Sequence, residues 1–252
     1  MIGFSEGFFP FKYLSVPIVT GRLKASDLDD LLGKVKRKIA GWKMKLLSAG
    51  GRTILLRHVL SSMATHLLAV LHVPNVVLLA LNRLLSSFFW GDTTGKGKRK
   101  WVVWRHICKP IQEGGIGIRD FGDIQKALHM KFTWKLLSGN SLWADFFRGK
   151  YVRGKHLSLV DSNKGTRFWK AIGKSIPDIL NNSQWLVRDG NISFWYDTWD
   201  DDGPLHDHYP VINKPLLNIK ECRIDNGWDI PLMEKLVGHQ KATELVQFFA
   251  TR

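Results

Sequence analysis

The run Ser26-Asp27-Leu28-Asp29-Asp30-Leu31-Leu32-Gly33-Lys34-Val35-Lys36-Arg37-Lys38-Ile39-Ala40-Gly41-Trp42-Lys43-Met44-Lys45-Leu46-Leu47 decides the fold class. Ser26-Asp27-Leu28-Asp29 has the pattern of a capping box, a hydroxyl residue followed three positions later by an acid, and acids suit the positive end of a helix. Leu28, Leu32, Val35, Ile39, Trp42 and Leu46 follow at intervals of four and three, which predicts one apolar stripe along a helix from Ser26 to Leu47. At about 100° per residue, Lys34, Lys38 and Lys45 line one flank of that stripe and Lys36 and Lys43 the other, while Arg37 points away. No acid falls among these five lysines between Lys34 and Lys45, so the face reads either as solvated or as a surface for an anionic partner.

Working outward, Ser48-Ala49-Gly50-Gly51-Arg52 is expected to break the helix, since paired glycines favour a C-cap or turn. A second helix is predicted from about Thr53 to His72, burying Leu55, Val59, Met63, Leu67 and Leu71 or their neighbours. Pro74 suits the first position of a third helix, which Val77, Leu81, Leu84, Leu85, Phe88 and Phe89 carry to Trp90-Gly91. Three consecutive helices with short connections suggest a small antiparallel bundle over residues 26–90. Upstream, residues 8–19 are aromatic and β-branched with prolines between, which reads as extended chain or an edge strand.

Downstream, residues 91–100 form a glycine-bearing basic loop, readable as a localisation signal, a phosphate contact or a solubilising tip. Trp101-Val102-Val103-Trp104 is apolar on both faces of any strand, so burial is expected, and Gly114-Gly115 supplies a turn with positive φ. Helices follow near 122–137, with Ile124, Leu128, Phe132 and Trp134 inward, near 142–150, and near 166–175 around Trp169. Gln184 to Trp195, with Asp189-Gly190 at its centre, reads as a β-hairpin. Residues 231–249 read as one or two amphipathic helices. The expected fold class is mainly α with a minor β part. Its segments are 1–25, a helical bundle 26–90, a basic loop and helical connection 91–155, and a small α+β module 156–252 with hairpin 184–195 and C-terminal helices.

At 252 residues with a formal charge of +15, the chain is large enough for a sizeable core and strongly basic. Such an excess favours an anionic partner, nucleic acid first, with an anionic membrane as the alternative. Residues 1–110 hold eighteen Lys and Arg against five acids, whereas residues 191–252 hold six against ten, so the partner-facing part is expected in the first two thirds. Two cysteines make no disulfide framework. The N-terminus has no secretory pattern, and the apolar region Leu67–Leu81 is shorter than the roughly 20 residues that span a bilayer. The expectation is an intracellular protein, nuclear or cytoplasmic, not secreted.

Catalytic constellations are thin. There is no phosphate-binding Gly-x-x-x-x-Gly-Lys-Ser/Thr loop, and Gly114-Gly115-Ile116-Gly117 lacks dinucleotide-fingerprint spacing. His106 and Cys108 supply two ligands where a structural zinc needs four. Asp197, Asp200, Asp201 and Asp202, with His206 and His208, read as a solvated acidic loop ahead of a cation site. No metal and no cofactor are expected in this chain.

Several motifs keep a common order. Phe9-Pro10-Phe11-Lys12-Tyr13-Leu14-Ser15-Val16-Pro17-Ile18, Trp42-Lys43 with Leu47-Ser48-Ala49-Gly50-Gly51-Arg52, Phe88-Phe89-Trp90-Gly91, and Trp104-Arg105-His106-Ile107-Cys108-Lys109-Pro110 with Gly114 to Arg119 come first. Phe168-Trp169-Lys170-Ala171-Ile172 and Asp189 to Trp199 follow. Together they resemble the region after the catalytic palm in plant non-LTR (LINE-type) retrotransposon reverse transcriptases, over about four fifths of the chain. Ser15 stands where that family has glycine, Ser62-Met63 where it has Ile-Pro, and Gln125 where it has asparagine, departures that read as drift.

The resemblance implies a thumb-like bundle and a connection region of a transposon-derived reverse transcriptase-like protein. The family's Tyr-x-Asp-Asp turn and its magnesium ions belong to a palm expected before this chain. Any ribonuclease H or Cys/His segment is expected beyond it. The implied role is a non-catalytic fragment, not an enzyme by itself, holding a template–primer duplex, RNA–DNA or RNA, through sequence-independent phosphate contacts. RNA-directed DNA polymerase or ribonuclease H activity as part of a longer polyprotein, or an inactive relic or scaffold, are the alternatives. The candidate nucleic-acid-binding residues are Lys34, Lys36, Lys38, Lys43, Lys45, Arg52, Lys96, Lys98, Arg99, Lys100, Arg105 and Lys109.

Overall fold

The computed structural model describes residues 8–42, 47–92, 99–209, 216–225 and 227–251. They are mainly helical with two small antiparallel sheets, as the sequence pattern predicts. The chain divides into two compact units, Met1–His129 and Met130–Arg252. That division falls inside the helix Phe121–Ser138.

In the first unit, β1 (Phe11–Tyr13) pairs with β2 (Val16–Ile18) in register Phe11↔Ile18. Leu14 and Ser15 make the turn, both at positive φ (49° and 65°), the primed geometry that matches strand twist. A short 3-10 turn, Ser26–Leu28, then leads into α1 (Asp29–Ala40). The expected Ser26–Asp29 capping box does not form: Ser26 makes no side-chain cap, and the Asp27 carboxylate instead accepts from the Lys24 backbone N–H at 2.7 Å one turn earlier. Leu28, Leu31 and Val35 are buried and Leu32 and Ile39 half-buried, so the stripe is turned towards Leu31. The helix ends at Ala40 with Gly41 as its C-cap, short of the predicted Leu47, and Lys43 to Leu46 lie outside the described residues.

The glycine pair does not break the chain there. Gly50 and Gly51 sit in the first turn of α2 (Ala49–Leu55), where Ser48 accepts from the Gly51 N–H at 3.1 Å. A polar N-cap satisfies an amide that the helix leaves open, and this outweighs the weak helix propensity of glycine. A wide turn at Leu56–Leu60 leads towards α3 (Thr65–Val70). Its core residues are Leu56, Leu60, Ala64, Leu67 and Leu68, one position along from the predicted Leu55, Val59 and Met63. By length and composition the run Ala49–Val70 is apolar enough to cross a membrane, although it carries Arg52 and Arg57 and supplies these core side chains. Pro74 precedes α4 (Asn75–Phe89), which buries Val77, Leu78, Leu81, Leu85 and Phe88 against α1 and α2.

Trp101-Val102-Val103 forms no buried strand. The three side chains are exposed ahead of a short helix, α5 (Trp104–Ile107), whose buried residue is Ile107, because no described element packs over them. Gly114 has φ +82°, as expected, and Gly115 is required by close approach, since a Cβ there would meet the Lys109 carbonyl oxygen at 1.9 Å. In α6 (Phe121–Ser138), Ile124, Leu128 and Phe132 are half-buried and Trp134 is exposed. The deeply buried positions include Gln125, His129 and Thr133.

The second unit holds α7 (Leu142–Phe147), α8 (Arg167–Gly173) and α9 (Ile176–Asn181) around Trp169, which stacks on Tyr151 at 4.3 Å. A further core gathers Phe194, Trp195 and Trp199 under α10 (Leu205–His208), β3 (Arg223–Ile224), β4 (Gly227–Trp228), α11 (Ile230–Val237) and α12 (His239–Thr251). The hairpin 184–195 does not form. Residues 190–194 pair instead with 217–220, through Phe194 N–H to Leu217 O (2.8 Å), Ile219 N–H to Ile192 O (3.0 Å) and Lys220 N–H to Gly190 O (2.9 Å). Gly190 does take positive φ (70°), but the chain close against it is the Lys220 backbone, which a Cβ would meet at 2.7 Å.

Candidate nucleic-acid interface

Burial of Leu28, Leu31 and Val35 fixes the rotation of α1 and leaves Lys34, Lys36, Arg37 and Lys38 exposed. The face does have an acid. Asp30, one turn earlier, meets Lys12 from β1 at 2.9 Å, Lys34 at 3.4 Å and Arg37 at 3.7 Å. The hydrogen bond from Lys12 is the main cause that holds the Asp30 carboxyl below the usual carboxylate range, with Lys34 adding to it against partial desolvation. One carboxylate among three cations leaves a positive face and fixes the geometry of its edge.

The other candidate residues separate into groups. Lys43, Lys45, Lys96 and Lys98 lie outside the described residues. Arg52 turns inward: its Nε donates to Phe89 O at 3.0 Å and its Nη1 to Leu47 O at 2.9 Å. It thus satisfies a carbonyl at the C-terminal end of α4, where a cation also suits the helix dipole. Lys109 is exposed and pairs with Glu113 at 3.8 Å. Arg99 lies over the Trp101 ring at 4.4 Å, while Lys100 and Arg105 line a groove of about 770 Å³ against α4.

Three arginines absent from the sequence reading join these. Arg83, an exposed residue of α4, lines the same groove. Arg57 and Arg119 line a second depression of about 390 Å³ with Ser61, Ser62 and Thr65, and Arg57 donates to the Ile116 carbonyl. A charge inside an otherwise apolar helical run, as at Arg57 and Arg83, was the signal available for two of them.

The acidic loop of the second unit is not simply solvated. Asp197 and Asp200 are buried. Asp197 accepts from the Ser193 N–H at 2.7 Å and meets His156 Nε2 at 3.1 Å. Lys241 reaches Asp200 at 2.8 Å and Asp202 at 3.3 Å. These pairs tie α12 and the 156–158 turn to the aspartate loop, so the aspartates hold the fold. Among the described residues no group of three or more His, Cys, Asp or Glu is placed to hold a metal ion. Burial, with nearby acids, pushes the thiols of Cys108 up to about 12 and Cys222 up to about 11, which leaves both protonated and poor nucleophiles at neutral pH.

No protein-family model matches the chain, and no solved structure does. It is similar to the Arabidopsis thaliana protein named "Putative ribonuclease H protein At1g65750", at 33% identity over 218 residues, 84% of this chain and 33% of that protein. It is also similar to the "Uncharacterized mitochondrial protein AtMg00310" of the same plant, at 28% identity over 132 residues, 50% of this chain and 84% of that one. The chain therefore spans about a third of the length of the first relative and resembles plant proteins of which one is named for ribonuclease H.

Proposed function

We propose that this chain is a non-catalytic, nucleic-acid-binding segment of a transposon-derived reverse transcriptase-like protein. It would work inside the cell, nuclear or cytoplasmic, and hold a template–primer duplex, RNA–DNA or RNA, by its phosphates. The observation that carries this reading is the exposed face of α1, where Lys34, Lys36, Arg37 and Lys38 stand on a helix anchored by Leu31 and Val35. A rigid helix presenting several cations meets a regularly charged backbone without reading bases, which gives affinity without sequence preference. The formal charge of +15 and the motif order shared with retrotransposon reverse transcriptases support it. Titration of the full chain with a labelled RNA–DNA hybrid over a salt series tests it. Neutralising about five to eight phosphates gives a slope of log K against log salt of roughly −4 to −7, and a flat response sinks the reading.

The ribonuclease H name of the first relative supports a second reading, in which this segment serves a catalytic polyprotein. Metal-dependent cleavage of the hybrid by this chain alone, abolished by EDTA, would place chemistry here and overturn the non-catalytic reading.

A further inference from the structure

One part of the first unit leaves apolar side chains gathered in the open. Leu79 on α4 is 54% exposed, and Trp101, Val102 and Val103 are 70%, 45% and 67% exposed. Scattered exposed hydrophobics need no explanation, but these four line one groove of about 770 Å³ together with Leu78 and Trp104. Cations stand on the same walls: Arg83, Lys100 and Arg105. The one acid in the lining, Asp120, has both carboxylate oxygens engaged, one by Asn82 Nδ2 and one by the Gly122 N–H, each at 2.7 Å.

We propose that this groove binds an unpaired strand of nucleic acid, with a base stacked on Trp101 and neighbouring phosphates held by Arg83, Lys100 and Arg105. An apolar floor with cationic walls fits a strand whose bases are free, because each base offers a π face and each linkage a negative charge. A duplex hides those faces in its own stack, so this site selects the unpaired part of a substrate whose paired part meets α1. Arg99, over the indole at 4.4 Å and outside the groove lining, fixes the ring from its side and adds positive charge. A second copy of this chain is disfavoured as occupant by like charge, at +15 per copy. The inference rests on the reading of the chain as nucleic-acid-binding and adds a distinct site and substrate form to it.

The test uses the full chain, a fluorescein-labelled oligouridine of about twelve nucleotides and the RNA–DNA hybrid, at one salt concentration. Trp101→Leu keeps an apolar side chain and removes the indole; Trp101→Phe keeps a ring. Trp101→Leu is expected to weaken oligouridine binding about five-fold or more while hybrid affinity stays within about two-fold, and Trp101→Phe to recover most of the loss. Equal loss on both substrates, or no loss on oligouridine, overturns the assignment. So does a Trp101→Leu variant that elutes as a smaller species than the parent chain, which makes the groove a contact between copies. An acidic amphipathic peptide that binds in a Trp101-dependent way, where oligouridine does not, also overturns it. Lys36→Glu with Lys38→Glu lowers hybrid affinity through α1, so failure of the duplex reading shows in that variant and failure of the groove in Trp101→Leu.

Discussion

Single residues show where an apparent departure has a physical cost. Ser15 holds φ at +65°, a region glycine enters freely and a residue with a Cβ does not, so the glycine of the resembling family belongs at this position for a conformational reason. Ser15→Gly is expected to raise stability by about 0.5–1 kcal/mol, seen as a small rise in Tm, the gain from relieved strain exceeding the entropy of a freer unfolded chain. His129 is 5% exposed, and burial, with His72 nearby at 5.3 Å between rings, lowers its pKa to about 4. The folded state then binds fewer protons than the unfolded chain between about pH 6.5 and 4, so stability rises with pH across that window and is lost as pH falls through it. Urea unfolding at pH 6.5 and at pH 4.5 should differ by about 2 kcal/mol on this account, and His129→Gln should remove most of the His129 part of that difference.

At the scale of elements, α6 joins the rest of the first unit through a polar residue. Gln125 Oε1 accepts from the Val73 N–H at 2.8 Å and its Nε2 donates to Val73 O at 3.2 Å, so one side chain satisfies both backbone groups of a buried residue between α3 and α4. This shows a structural role for the residue that stands in place of the family's asparagine, where the sequence suggested drift. Gln125→Ala should cost about 2–3 kcal/mol in chemical denaturation, because it orphans a buried donor and acceptor together. Gln125→Asn tests reach: a side chain one methylene shorter restores stability only if the 70–74 segment can move towards it.

Across the whole molecule, charge decides what the fold can meet. Described cations of the first unit, Arg52 apart, stand at surface positions that include α1, α4 and the 99–109 segment, while aspartates of the second unit are drawn into pairs with Lys241 and His156. Surface cations act on a polyanion additively and are screened by salt, whereas buried pairs act on stability. Lys36→Glu with Lys38→Glu should therefore reduce the steepness of the salt slope for the hybrid by about two and leave Tm nearly unchanged. Lys241→Ala should do the reverse, lowering Tm by leaving Asp200, 6% exposed, without that partner, and leaving the slope as it was.

The sequence by itself determined the helical class, the position of α1, the helix that follows Pro74, the short helix around Trp169 and the helical character of the C-terminal segment. Each rests on spacing or capping within about twenty residues, and local periodicity reports burial when one face alone is apolar. It also placed Lys34, Lys36 and Lys38 on exposed flanks, since Leu28 and Val35 fix the rotation of that helix. Only the tertiary structure decided the rest, because those outcomes depend on which distant segment arrives. Asp189-Gly190 has hairpin chemistry, yet residues 217–220 reach 190–194 and take the backbone groups that 184–188 would have used. Trp101-Val102-Val103 has core composition, yet no element covers it among the described residues, and the groove exists because α4 stands beside it. Arg52 has the charge of a phosphate contact, yet Phe89, thirty-seven residues on, presents the carbonyl that turns it inward.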